Sequence, residues 1–208
     1  MSEYFIPAAQ GEASYVEKRS EFIGHVRMVE TEDEAKAFIT EMKKKYYDAR
    51  HNCWCYIIKD GAVRYSDDGE PQGTAGIPML EVFKREGIEN VVCVVTRYFG
   101  GILLGAGGLL RAYTKSAKDA LTEAGVAVVR RWVKMELNCA YSVAERLKTE
   151  SLNMGGVIQD TEYGAAVCLK VLVPEEKAEE FSLRISDVTA GSCEAVPCGE
   201  EFKPVKIK

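Results

Sequence analysis

The chain has 208 residues, room for one large domain or two small ones, and 47% of them are hydrophobic and 28% charged, as in ordinary soluble globular proteins. A net charge of −5 argues against a surface coated in Lys and Arg for bulk nucleic-acid binding. Residues 1–128 carry 16 basic and 19 acidic side chains and the rest carry 11 and 13, so any anion site must be a local patch.

The N-terminus, MSEYFIPAAQ, has neither a charged start nor an apolar core and does not read as a signal peptide. No stretch approaches the roughly 18 apolar residues that cross a bilayer, so a cytoplasmic protein with no membrane partner is expected. Residues 13–18 and 21–28 read as strands around Arg19-Ser20. Thr31-x-x-Glu34 is a capping box opening a helix from Glu32 to Tyr47, with Ala35, Phe38, Ile39 and Met42 on one face. Residues 53–59 and 62–65 form a hairpin turning at Asp60-Gly61. A polar loop, 66–73, leads into a helix at 77–86, which Thr74 is placed to cap. Residues 90–96 are almost unbroken in apolar character, as in a strand covered on both faces. A glycine-dense turn, 100–108, precedes a helix from Leu109 to Glu123.

Beyond a boundary near 128–131 the rhythm changes. A strand at 134–140, a helix capped by Ser142-x-x-Glu145, strands at 157–162 and 165–173, a helix opened by Pro174 and a strand at 192–202 follow in turn. The order is βαββαβ, a ferredoxin-like split. The expectation is an α+β chain with domains at 1–128 and 129–208.

Three segments carry candidate chemistry. Gly100, Gly101, Gly105, Gly107 and Gly108 sit between a buried strand and a helix, where they permit positive φ and close approach to the backbone. The unpaired amides opening the helix point toward any anion. Arg111, Lys115 and Lys118 line one helical strip, and Arg97 ends the strand. Arg111 lies in the first turn, where the helix dipole disfavours a cation unless an anion binds nearby. The same features also read as a tight strand-to-helix connection beside a solvated basic face. The glycine spacing fits neither the dinucleotide nor the Walker A pattern.

Asp67, Asp68, Gly69, Glu70 and Thr74 form the second segment, whose carboxylates suit a cation, acid/base work or simply a turn. The structural or binding loop is the preferred reading. His51, Cys53 and Cys55 alternate on one strand face, too nearly in line for a tetrahedral metal site. They are better placed in a core, like most of the seven cysteines, whose odd number and lack of C-x-x-C pairs suit reduced thiols. His25 is expected to be structural. No catalytic residue, cofactor or metal is assigned.

Taken together, Lys18-x-Ser20-x-Phe22, His51-Asn52-Cys53, the run Asp67-Asp68-Gly69-Glu70-Pro71-x-Gly73-Thr74-Ala75-Gly76, and Arg97-Tyr98-Phe99-Gly100-Gly101 continuing to Arg111-x-Tyr113 resemble the IMPACT/YigZ family. The resemblance implies a first domain like domain IV of elongation factor G and a ferredoxin-like second domain like its domain V. It implies an RNA or ribosome partner, or a protein partner in translational control, and no sequence-specific DNA binding. Eukaryotic relatives act in translational control by competing for the activator of an initiation-factor kinase and carry an extra interaction domain, so the resemblance does not imply that this role carries over intact. The leading expectation is a translation-linked binding protein using Arg97, the glycine turn and the basic strip. The alternatives are an enzyme acting on a small phosphorylated molecule through the Asp67/Asp68/Glu70 loop, which requires the two loops to converge, and a purely protein-binding adaptor.

Overall fold

The computed structural model describes residues 3–207, which form two compact units, 3–129 with 204–207, and 130–203. Both are mixed α+β with antiparallel sheets.

In the first unit, β2 (Gly11–Glu17), β3 (Ser20–Met28), β4 (His51–Ile57), β5 (Val63–Ser66) and β6 (Val91–Tyr98) form a five-stranded sheet in the order β2-β3-β6-β4-β5. The central strand β6 explains the unbroken apolar run. Val92 and Val94 pack on Phe38 and Met42 of α1 (Glu32–Lys45), while Val91, Cys93 and Val95 join the core of α2 (Gly76–Arg85) and α3 (Ala106–Ala124). Both faces are thus covered. The Thr31/Glu34 capping box is present and starts α1, and Asp60, at φ +53, turns the β4–β5 hairpin. α3 lies so close to the sheet that a Cβ on Gly24 would stand 2.5 Å from the Ser116 carbonyl oxygen, so only glycine fits there.

Two elements depart from the sequence reading. The N-terminal segment contains a short strand, β1 (Tyr4–Pro7), which pairs with residues 126–129. The strand expected at 134–140 is therefore the second half of a longer one, β7 (Val126–Cys139). A four-residue strand carries no periodicity of its own, and its partner is more than a hundred residues away.

In the second unit, β7 from Trp132 onward pairs with β9 (Val167–Pro174), β9 pairs with β8 (Val157–Tyr163), and β10 (Ala195–Lys206) pairs with β7. Met135, Leu137 and Cys139 on β7 and the odd-numbered residues of β9 meet Leu147 of α4 (Tyr141–Asn153) and Phe181 and Ile185 of α5 (Ala178–Val188). Ser142 does not cap α4. Ala140 holds the N-cap position with no side-chain bond, and Glu145 pairs with Lys148 at 2.8 Å. Pro174 ends β9 and leads through a 3-10 turn, Glu175–Lys177, into α5.

All seven cysteines are free thiols, and Cys53, Cys55 and Cys93 are core residues. Among the described residues no helix is long and apolar enough to cross a membrane.

His25 is fully buried on β3, and neither ring nitrogen makes a hydrogen bond, although Glu12 Oε2 stands 3.3 Å from Nδ1. Burial lowers its pKa below the ordinary 6.5, outweighing the Glu12 charge that raises it. A lowered folded-state pKa contributes stability that is complete above about pH 6.5 and is lost as pH falls through the folded value, because the unfolded ring takes its proton first. Urea midpoints measured from pH 7.5 to 5.0 should therefore fall less steeply for His25→Gln than for the wild type.

Candidate functional site

Strand register builds the site. On β6, Arg97 lies opposite Phe22 of β3 on one side and His51 of β4 on the other. Its side chain thus points into a region roofed by the loop from β5 to α2 and by α3. Arg97 is 5% exposed, and its Nη1 donates to Glu70 Oε1 at 2.6 Å while Nη2 donates to Ser20 Oγ at 3.3 Å. Glu70 Oε1 also accepts from the Tyr113 hydroxyl at 2.8 Å. Burial, then the charges of Cys53 and Glu70, push the Tyr113 phenol far above its ordinary value of 10.0, so it stays protonated as a donor.

The carboxylate loop divides its work. Asp67 Oδ1 accepts from the amides of Ala75 (3.0 Å) and Gly76 (2.8 Å), and Oδ2 accepts from Gly73 N (2.8 Å). Asp67 therefore caps α2 from nine residues upstream of Gly76. Thr74, expected to be that cap, instead donates its hydroxyl to the Pro71 carbonyl at 2.6 Å. Asp68 Oδ2 accepts from Asn52 N at 2.7 Å and Oδ1 takes Lys43 Nζ at 2.6 Å, tying the loop to β4 and α1. The Asp68 carbonyl accepts from His51 Nδ1 at 2.8 Å. A carbonyl only accepts, so Nδ1 carries the proton and Nε2 faces Glu70 Oε2, 3.9 Å away.

Cys53 Sγ donates to the Asp67 carbonyl at 2.9 Å. Burial pushes its thiol far above 9.0, outweighing the bond from Tyr113, and the Glu70 and Asp68 charges push the same way. A thiol so held is no nucleophile. Among the described residues no group of three or more His, Cys, Asp or Glu converges to hold a metal ion.

The glycine turn is shorter than expected: α3 begins at Ala106 and not at Leu109, so Gly107 and Gly108 are helical and Arg111 stands in the second turn, not the first. Gly101 and Gly105 sit at φ +82 and +72, and Gly105 is the N-cap of α3. Gly100 is packed on the β2–β3 turn, where a Cβ would fall 2.0 Å from the Arg19 carbonyl carbon. At α3's uncapped end, Arg111 folds back so that its Nη1 is 3.6 Å from the position of a Cβ on Gly107. Gly108 lies against Leu104.

The structure brings some of the expected residues together and separates others. Arg111, Lys115 and Lys118 are exposed along α3; Lys115 pairs with Asp119 at 2.6 Å, and Lys118 borders a separate cavity with Gly73 and Ile77. Arg97 is not the free surface cation that the basic-strip reading used, because its register turns it inward to Glu70. The two loops do converge: Glu70, Gly69, Arg97 and Gly105 line one cavity of about 360 Å³. Of the loop's carboxylates only Glu70 lines it. Its wall includes Arg50, His51 and Leu103, which the sequence reading did not assign to a ligand site, and Phe99, which at the strand end offers a base-stacking surface if exposed. The available signal was polar residues, Ser20, His51 and Arg97, placed within otherwise apolar strands.

Residues 18–121 match the Impact N-terminal domain, and residues 137–192 match a domain of unknown function, DUF1949. The chain is 38% identical over 193 residues to IMPACT family member YvyE of Bacillus subtilis, covering 92% of this chain and 89% of that one. It is 34% identical over 204 residues to IMPACT family member YigZ of Escherichia coli, covering 96% and 100%. Protein IMPACT of Rattus norvegicus is 33% identical over 109 residues, 50% of this chain and 34% of that one. A solved structure titled as that of a hypothetical protein superimposes with a TM-score of 0.60 at 33% identity, covering 96% and 98% of the two chains. This chain belongs to the IMPACT family.

Proposed function

We propose that this chain is a cytoplasmic, translation-linked binding protein whose first domain engages RNA or a ribosome-associated surface at the N-terminal end of α3. The observation that carries the reading is Arg111, a second-turn residue of α3 whose guanidinium reaches back to Gly107 in the uncapped first turn, where the helix dipole repels a cation. An anion between the amides and the guanidinium removes that repulsion, and a backbone phosphate supplies one. Lys115 and Lys118 extend the same exposed strip. Arg97 acts beneath it, fixing Glu70 and the loop.

Family membership and half-length similarity to Protein IMPACT support a regulatory role in translation over an unrelated one. The proposal takes residues 1–128 as a relative of elongation factor G domain IV and 129–208 as a ferredoxin-like partner domain. The β7-α4-β8-β9-α5-β10 order supports the latter.

Ribosome sedimentation through a series of salt concentrations tests this. Co-migration is expected to weaken steeply with salt, and Arg111→Glu should weaken it by about tenfold or more at fixed salt while leaving the thermal midpoint unchanged. Ribosome association equal in both proteins would sink the site. Partner capture that survives RNase would favour a protein surface instead.

A further inference from the structure

The cavity between the glycine turn and the carboxylate loop holds features that backbone phosphate binding does not use. Phe99 is 41% exposed, with the guanidinium carbons of Arg97 and Arg50 5.5 and 5.9 Å from its ring centroid. Leu103 is 81% exposed on the same rim. Leu103 and the Phe99 ring thus present apolar surface to the same cavity. Deeper in, the Arg97 side chain is 6% exposed, yet its Nε has no hydrogen-bond partner. Glu70 Oε2 accepts no hydrogen bond among the described residues, its Oε1 being the oxygen that Arg97 and Tyr113 use. Within this one ion pair, Arg97 Nε is a buried donor left unsatisfied, costly to leave so, and Glu70 Oε2 is an acceptor free of protein donors.

The ligand's chemistry follows from this pair. An inorganic anion would satisfy Arg97 Nε but would be repelled by Glu70. An aliphatic ligand would satisfy neither. A nucleobase edge presents a donor beside an acceptor, and its flat face suits Phe99 and Leu103. Its phosphate then reaches the first turn of α3, where Gly105 and Ala106 line the cavity and Arg111 lies over Gly107. A volume of about 360 Å³ falls within the range of small-ligand pockets.

We propose that this cavity is a pocket for a single nucleotide, with the base between Phe99 and Leu103, its edge on Arg97 Nε and Glu70 Oε2, and its phosphate at the start of α3. The nucleotide is either a free nucleoside monophosphate or an unpaired residue of an RNA. The RNA source rests on the function proposed above, whereas the pocket itself does not.

The four 5′-nucleoside monophosphates, their nucleosides, inorganic phosphate and a short single-stranded RNA are titrated separately into ¹⁵N-glycine-labelled full-length protein. The Gly105 amide signal is followed in the wild type, Phe99→Ala and Arg111→Glu. At least one monophosphate should bind and shift Gly105. Its nucleoside, inorganic phosphate and either variant should each weaken binding by about tenfold or more. The pocket is overturned if no monophosphate binds, or if inorganic phosphate binds as well as every monophosphate. Binding that Phe99→Ala leaves unchanged overturns it too. RNA bound equally by the wild type and Phe99→Ala, with no monophosphate bound, removes the pocket and leaves the RNA reading standing. A monophosphate bound in the predicted way, with no RNA or ribosome association, establishes the pocket for a free nucleotide and removes the RNA reading.

Discussion

Glu70→Ala is expected to destabilise the first domain by about 3–5 kcal/mol, read as a shift of the urea unfolding midpoint. The effect is large because the substitution does not merely delete a contact. It leaves the Arg97 guanidinium, 5% exposed, without a countercharge, and it takes the acceptor from the buried Tyr113 hydroxyl. Glu70→Gln keeps an acceptor for both donors but loses the charge, so its cost should be intermediate. The pair also allows a control. Glu70→Leu combined with Arg97→Met removes both charges and fills the space, and should recover most of the loss. A double variant as unstable as Glu70→Ala alone would mean that the loop, not the uncompensated charge, sets the cost. The recovered protein, stable but lacking the paired donor and acceptor, is then the proper material for asking what the pair contributes to binding.

Asp67→Ala comes next, at about 2–4 kcal/mol, because one carboxylate accepts three backbone amides, those of Gly73, Ala75 and Gly76. Helix caps alone are worth about 0.5–2 kcal/mol, and bonds to an ionised acceptor about 1.5–3 kcal/mol net each, which do not add fully where three share one carboxylate. Asp68→Ala, which loses one amide and one exposed lysine, should cost roughly 1 kcal/mol. Chemical denaturation of the two variants side by side checks the ranking, and equal losses would contradict it. Hydrogen exchange at Ala75 and Gly76 should also quicken in Asp67→Ala, since those amides lose their acceptor.

Much of the architecture was present in local pattern. The Thr31/Glu34 box, the turn at Asp60-Gly61 and the positive-φ glycines Gly101 and Gly105 before α3 each state their geometry within a few residues, because capping and positive φ are local constraints. Where local chemistry has several outlets, sequence reading chose wrongly. Thr74 and Ser142 are sound N-cap types, yet Asp67 supplies the first cap and α4 has no side-chain cap. β1 and the first half of β7 were missed because each is held by pairing with segments distant in the chain.

The candidate site shows the same division. Its residue types were visible as the glycine turn, the carboxylate loop and the cations Arg97 and Arg111, and so was the family they belong to. Their division of labour was not. Whether Arg97 meets solvent or Glu70 depends on a register across β3, β6 and β4 that joins residues 22, 51 and 97. Whether a carboxylate is a cap, a tether or a cavity wall depends on which distant amides reach it first. The sequence by itself determined most of the elements, the hairpin turn and the family, since these follow from neighbours along the chain. Only the tertiary structure decided that Glu70 and Arg97 are a buried pair, that Asp67 and Asp68 are spent on backbone, and that Phe99 and Leu103 are left facing an open cavity. Burial and charge pairing belong to contacts between segments, which no stretch of chain encodes alone.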